Sequence, residues 1–357
     1  MTSFLEWRGP PIVDVCVVRA DFGHLLVLTA DGVLHGVDVD ARSIARLCSV
    51  ELPDLVPGDT NSFFGVAAHR LHATSDGRHA AIVVDKGRLG VVVETRSGAV
   101  TMHLDGGDYH EDTVPFSACF LRFGGRDAFV HRTAWNRLDV ADPATGESLT
   151  PRHIAPYETA GKAPEHYLDY FHGQLRPSPE GGLLFDDGWV WHPLSVPRVW
   201  SVTRWLSANP WESEDGPSIV DLVAAEDWTK PACWIDERRL ALWGLADWDA
   251  CEFAEAGQGP GVRIVDVTAA EPSANELWPM ESRTEKVLDL FSDGVCLFVA
   301  TEAGTTVWDI ATRALVTEWQ GFTARLFDRA RSTLVAFGPD RIREIPIPGP
   351  VAAGGRL

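Results

Sequence analysis

Apolar and polar positions in this chain follow a phrase that recurs. A short apolar run meets a turn rich in Asp and Gly. A second apolar run ends in an acidic residue, and a third segment follows a small polar turn. The clearest copy spans 295–319, with Gly304 in its first turn and Trp308-Asp309 closing its second run. Other strand-like runs fall at 13–18, 25–29, 81–84, 91–93, 128–131, 240–243, 262–267 and 334–337. They are short and rich in β-branched residues, and turn pairs such as Asp31-Gly32, Asp76-Gly77 and Asp293-Gly294 break them. Leu25 to Leu28 and Val91 to Val93 are apolar on successive residues. A strand reads that way when both faces of its sheet are covered. Helical periodicity is not sustained anywhere, and 165–170 and 273–278 are single turns at most.

The acid closing the third strand serves as a ruler. Asp38, Glu94, Asp139, Asp266 and Asp309 hold equivalent places, each just ahead of a polar turn. A further copy without the acid fits at Trp189 to Leu194. The period, roughly 35 to 70 residues, is near the blade length of β-propellers. First strands are expected near Val13, Val66, Ser117, Tyr170, Lys230, Lys286 and Phe322. The last copy has only three strands, and 3–8 is an orphan strand-like piece. Pairing the two removes an open edge.

The expectation is an all-β chain: a single seven-bladed β-propeller of four-stranded antiparallel blades over 1–350. Its ring is closed by the N-terminal strand pairing with the last blade. The blades are expected at about 13–50, 63–104, 117–150, 170–206, 219–280, 285–320 and 322–347 plus 3–8, with 351–357 a flexible tail.

This pattern resembles the WD40-like family in a degenerate form. Trp308-Asp309 is the one Trp-Asp at the end of a third strand, Trp248-Asp249 lies in a loop, and Gly23-His24 follows a strand rather than preceding one. The family's Asp-His-Ser/Thr-Trp network therefore finds no matching residues. The resemblance implies a protein-binding scaffold.

Composition narrows the function. The 357 residues are 45% apolar and 23% charged, as in ordinary globular proteins. A net charge of −20 repels phosphate backbones, and Arg325, Arg329, Arg331, Arg341 and Arg343 are interleaved with acids. Nucleic acid is not an expected partner. No run approaches the roughly 18 apolar residues of a membrane span, and the N-terminus lacks a signal-peptide pattern. Six scattered cysteines fit a reducing cytoplasm. A monomer is expected.

Nine of the 14 tryptophans lie between Trp189 and Trp248. Trp191, Trp234 and Trp243 sit in strand-like runs and read as core. Trp205, Trp211, Trp228 and Trp248 sit in polar or Pro-containing loops. One reading makes them a partner surface, since Trp anchors interfaces; the other has long loops burying their own Trp. Insertions at 207–218 and 244–261 are acidic, with Glu212, Glu214, Asp215, Asp247 and Asp249 among their residues, which suits a basic partner or plain solvation. His110-Glu111-Asp112 is a compact polar triplet in a loop. No metal, P-loop, dinucleotide or Gly-x-Ser-x-Gly motif occurs. Aligning first strands places His72, Arg176 and Asp289 at similar registers, as candidates to line a central channel. Neither catalytic nor metal-ligating residues are assigned, and no cofactor is expected. The leading function is a non-enzymatic scaffold; the alternative is a lactonase-like propeller hydrolase with a channel metal.

Overall fold

The computed structural model describes residues 3–55, 65–154, 163–191, 194–226, 229–247, 260–268, 276–280 and 285–347. The chain starts with β1 (Ser3–Glu6) and then forms a four-stranded antiparallel meander of β2 (Ile12–Ala20), β3 (Gly23–Thr29), β4 (Val33–Asp38) and β5 (Ser43–Ser49). A second follows as β6 (Ala68–Ala73), β7 (His79–Asp85), β8 (Leu89–Glu94) and β9 (Val100–Asp105). The third has three strands, β10 (Ala118–Phe123), β11 (Arg126–Ala134) and β12 (Arg137–Ala141), with a bridge from Ala141 to Ser148 where a fourth would run.

The fourth meander is the most elaborate. It contains β13 (Phe171–Pro177), β14 (Leu183–Val190), the two-residue β15 (Leu194–Ser195), β16 (Arg198–Ser201) and β17 (Val220–Asp221). Between β16 and β17 lie α1 (Val202–Ser207) and α2 (Glu212–Asp215). Regularity then returns. The fifth comprises β18 (Ala232–Trp234), β19 (Arg239–Trp243), β20 (Gly261–Asp266) and β21 (Glu276–Pro279). The sixth comprises β22 (Val287–Ser292), β23 (Cys296–Thr301), β24 (Gly304–Asp309) and β25 (Leu315–Gln320). The last is β26 (Leu326–Asp328), β27 (Thr333–Gly338) and β28 (Arg341–Pro346), completed at its outer edge by β1. The pairing sets Phe4 opposite Arg343 and Leu5 opposite Ile342. Seven sheets, each packed on the next and the last closed by the first strand, make a seven-bladed propeller.

The packing explains the continuous apolar runs. In β7, Ala80 and Ile82 pack toward blade 1, while Ala81 and Val83 pack toward blade 3. Alternate residues thus serve opposite neighbours, and all seven residues of the strand are buried. Each adjacent pair of blades shares such a cluster, including blades 7 and 1, where Leu5 and Trp7 join Val15, Leu25, Val335 and Ile342. Each fully buried aliphatic side chain contributes about 1.5–3 kcal/mol.

The acidic ruler has a local cause. At the ends of third strands, Asp38, Glu94, Asp266 and Asp309 accept hydrogen bonds from the N–H groups of Ala41, Ser97, Thr268 and Thr312 at 2.7–2.9 Å. Each carboxylate satisfies the turn into the outer strand. Asp139 differs: it meets Thr133 Oγ1 and Arg152 instead. Gly32 holds φ +76 in its Asp-Gly turn, and a Cβ there would lie 2.3 Å from the Val50 carbonyl oxygen, so no other residue fits.

Three local expectations are corrected. Residues 276–278 are extended in β21 rather than a helical turn; 273–275 lie outside the described residues. The segment from Trp189 is the end of the second strand of blade 4 followed by β15, and the third strand is β16. The insertion at 207–218 contains helix, seeded by α1 ahead of it. Ser201 caps α1 by accepting the Arg204 N–H. At six residues and four, these helices are too short to leave a periodicity.

Candidate functional site: the central channel and the upper face

The first strands of the blades surround a central cavity of about 710 Å³. His72, Arg176 and Asp289 all border it. Arg176 Nη2 donates to Asp289 Oδ1 at 2.9 Å, joining blade 4 to blade 6 across the channel side of blade 5. His72 stands apart in blade 2. Burial, then the nearby Arg70 guanidinium, push its pKa down to about 4, and its Nε2 finds no partner among the described residues.

Residues that the alignment of first strands passed over complete the lining. Asp14 accepts the Val15 N–H at 2.9 Å and the Leu71 N–H at 2.8 Å, so its carboxylate stitches blade 1 to blade 2. Burial raises its pKa against the pull of Arg70 and those N–H groups. Arg70 is ion-paired with Asp85. Asp289 repeats the Asp14 device. Both follow a register shift in the first strand, and both accept the N–H of the next residue. The signal was present in Ile12-Val-Asp-Val15 and Val287-Leu-Asp-Leu290, the same apolar-apolar-Asp-apolar phrase at the start of two blades.

Titratable groups in and around the channel are largely committed to structure. Cys16, Cys119 and Cys233 line it with thiols that burial pushes up, Cys233 to about 12, so they carry little thiolate for nucleophilic work. In blade 4, His172 Nδ1 and Asp186 Oδ2 lie 2.6 Å apart in full burial. The adjacent Asp187 is pushed up to about 7 by burial and by Asp186. Lys86 is pushed down to about 8 by burial, and its Nζ donates to the Thr113 carbonyl. Among the described residues no group of three His, Cys, Asp or Glu side chains is arranged to hold a metal ion.

The upper face carries the links between blades and the turns joining second to third strands. The tryptophan-rich copies look different from the expectation, and their helices are inserted between the third and outer strands of blade 4 rather than in an upper-face turn. Trp205 is not a loop residue at the surface. It lies in α1, is 1% exposed, packs edge-on against Trp200 and donates its Nε1–H to the Pro210 carbonyl. Glu212 and Glu214 are also buried: Glu212 accepts from Asn209 and the Ser218 N–H, and Glu214 pairs with Arg152 at 2.6 Å. These three cannot form an open surface, because short helices turn them onto blade 3 and their own loop. Trp211 is half-buried, stacked on His166 at 4.3 Å with Arg152 over its ring. Asp215 is exposed and bonds to His166, and Asp247 pairs with Arg263. Trp228, Trp248 and Asp249 lie outside the described residues.

Trp191, read from the sequence as core, is 42% exposed. It stands at the end of β14 beside His110 and edge-on to Phe171 and Trp189. Phe171 and Trp189 stack flat at 4.1 Å, Trp135 leans on Phe171 at 4.5 Å, and Tyr109, 46% exposed, covers Trp135. Three separate pieces of chain converge here: the link at 106–117, the turn after β11, and the two ends of the first hairpin of blade 4. The upper face of blades 3 and 4 is therefore an aromatic mound with a buried base and an exposed crown of Tyr109, His110 and Trp191. Asp108, with 83% of its side chain exposed, and Glu165, at 89%, lie in the links that build and flank it.

No family model matches the sequence, and no curated protein does. Solved structures do. The crystal structure of the Myceliophteria thermophila Cps50 (Swd1) β-propeller domain matches with a TM-score of 0.57 at 12% identity, over 96% of this chain and 98% of that chain. The likeness is one of fold. It agrees with the propeller architecture described above.

Proposed function

We propose that this chain is a non-enzymatic, WD40-like propeller scaffold that binds a protein partner on its upper face. The observation carrying this reading is the exposed crown of Tyr109, His110 and Trp191 on a rigid aromatic base. Large aromatic rings held in place by packing lose little entropy on binding and act as anchors. The acids of the adjoining links, in a chain of net charge −20, favour a basic partner. Trp211 and Asp215, held on His166 in the link entering blade 4, and Asp247, after the second strand of blade 5, are further candidates for partner contact. The hydrolase alternative would draw on the channel carboxylates, yet Asp14 and Asp289 are bound to backbone N–H groups and Arg176. The five described cysteines are free thiols, in keeping with the cytoplasmic, monomeric protein we infer.

Affinity capture from native cells tests the reading. The Tyr109→Ala/Trp191→Ala protein should stay folded, at a cost of about 1–3 kcal/mol for its lost ring contacts, and should lose one or more basic partners. The same captured set from both proteins sinks the proposal.

A further inference from the structure

Across the ring from the aromatic mound, blades 6 and 7 diverge on the upper face and leave a groove of about 700 Å³. Its lining shares Leu288, Thr323, Arg325 and Phe337 with that of the central cavity. Arg325 leaves the link just before β26 and lies over the Phe337 ring at 5.2 Å. Arg343, on β28, lies over Phe322 at 5.5 Å and gives one N–H to the Gly321 carbonyl. Arg341 stands at the rim, paired with Asp340. Glu302 is the single carboxylate among the described lining residues.

Two features make this arrangement more than surface charge. The chain has 51 acids against 31 bases, yet among the described residues neither Arg325 nor Arg343 has a carboxylate within ion-pair distance. A guanidinium resting on a ring is also held in plane through its face, which leaves the N–H donors on its edge free. Two such forks on one groove wall are preset to receive oxyanions in bidentate fashion. At about 700 Å³ the groove has room for several residues of a chain rather than one compact ion. The overall charge argues against a long polyanion. Beyond about 8 Å at physiological salt, however, that repulsion is screened, so a short acidic stretch engaged by direct contact is tolerated.

We propose that the groove between blades 6 and 7 binds an extended peptide segment bearing carboxylates, gripped by Arg325 and Arg343. This does not depend on the aromatic crown, which sits on other blades.

Fluorescence anisotropy of the full chain with a short labelled Glu-rich peptide and its Gln counterpart tests it. The Glu peptide should bind, and the Gln peptide should bind at least about tenfold more weakly, since charge-assisted hydrogen bonds are about twice as strong as neutral ones. Arg325→Ala/Arg343→Ala should weaken the Glu peptide by a similar factor while melting like the wild type. Arg325→Gln/Arg343→Gln retains polar reach without charge and should fall equally. The Tyr109→Ala/Trp191→Ala protein should bind the Glu peptide normally. Equal binding of both peptides, or full binding after loss of both arginines, overturns the proposal. So does loss of binding in the aromatic variant. Displacement of the peptide by free citrate at equal carboxylate concentration overturns it too, because that marks a small-anion site.

Discussion

At the seam between blades 7 and 1, the four residues of β1 extend the edge of β28, and Leu5 and Trp7 fill the gap between the blades. At the seam between blades 3 and 4, the chain departs from the repeat. One short helix, α1, lays Val202 and Trp205 against Cys119, Val130 and Val140, and a second, α2, brings Glu214 to the buried Arg152, which also meets Asp139. Both seams keep water out of the ring. The first does so with the material of the repeat itself, a strand in register. The second does so with an insertion whose polar-looking sequence folds inward. The difference teaches where a repeat can be trusted. Strand pairing repeats because every blade needs it, whereas an insertion is free to bury whatever it carries.

The largest effect should come from breaking the strand seam. Leu5→Asp places a carboxylate among the apolar side chains of the cluster shared by blades 7 and 1. A buried, unpaired charge costs several kcal/mol, so stability should fall by about 4 kcal/mol or more. Phe4→Asp, one residue away on the exposed side of the same strand, should cost about 0.5 kcal/mol or less. Urea denaturation of the pair measures the contrast. Equal, small losses would mean that β1 does not hold the ring closed.

Next in size is the inserted seam. Trp205→Ala removes a fully buried indole and should destabilise by about 3–5 kcal/mol. Trp211→Ala, in the same insertion but half-exposed, loses mainly its stacking with His166 and should cost about 1 kcal/mol. Thermal melts decide the order. If Trp211 mattered more, the helices would be an appendage rather than part of the seam.

These two seams also explain what was legible. Strands appear in sequence because alternate residues serve two neighbouring blades, which yields unbroken apolar runs such as Ala80 to Val84. The acidic ruler worked because Asp38, Glu94, Asp266 and Asp309 satisfy the same turn. Ring closure followed from counting strands. His72, Arg176 and Asp289 lie on first strands, the strands that border the channel. The upper-face mound could not be read. Tyr109, Trp135, Phe171 and Trp191 lie far apart in sequence and meet only through the curvature of the ring. Nor could the sequence tell Trp205, buried by a six-residue helix, from Trp191, left exposed at the end of a strand.

The smallest effect sharpens the comparison through pH. Glu344, 1% exposed on β28, bonds to His24 of blade 1 at 2.9 Å and to Arg331 at 3.0 and 3.1 Å, and Arg331 reaches Asp40 of blade 1. Burial alone would raise the Glu344 pKa. The hydrogen bonds from His24 and Arg331, with the charges of those groups, outweigh it and hold the pKa below its ordinary value of 4.5. A carboxylate whose pKa is depressed on folding contributes stability that is complete above the unfolded value. That contribution is lost as pH falls through the lower folded value. The strand seam should therefore loosen in acid below about pH 4.5. Glu344→Gln should be less stable than the wild type by about 2 kcal/mol near neutrality, in the range of hydrogen bonds to charged groups. The gap should close as the pH drops below 4.5, because the wild type then loses what the variant already lacks. Melting curves across that range read the convergence directly. A constant gap would mean that Glu344 acts through packing, and that the charged contacts across blades 7 and 1 add nothing to the closure made by β1.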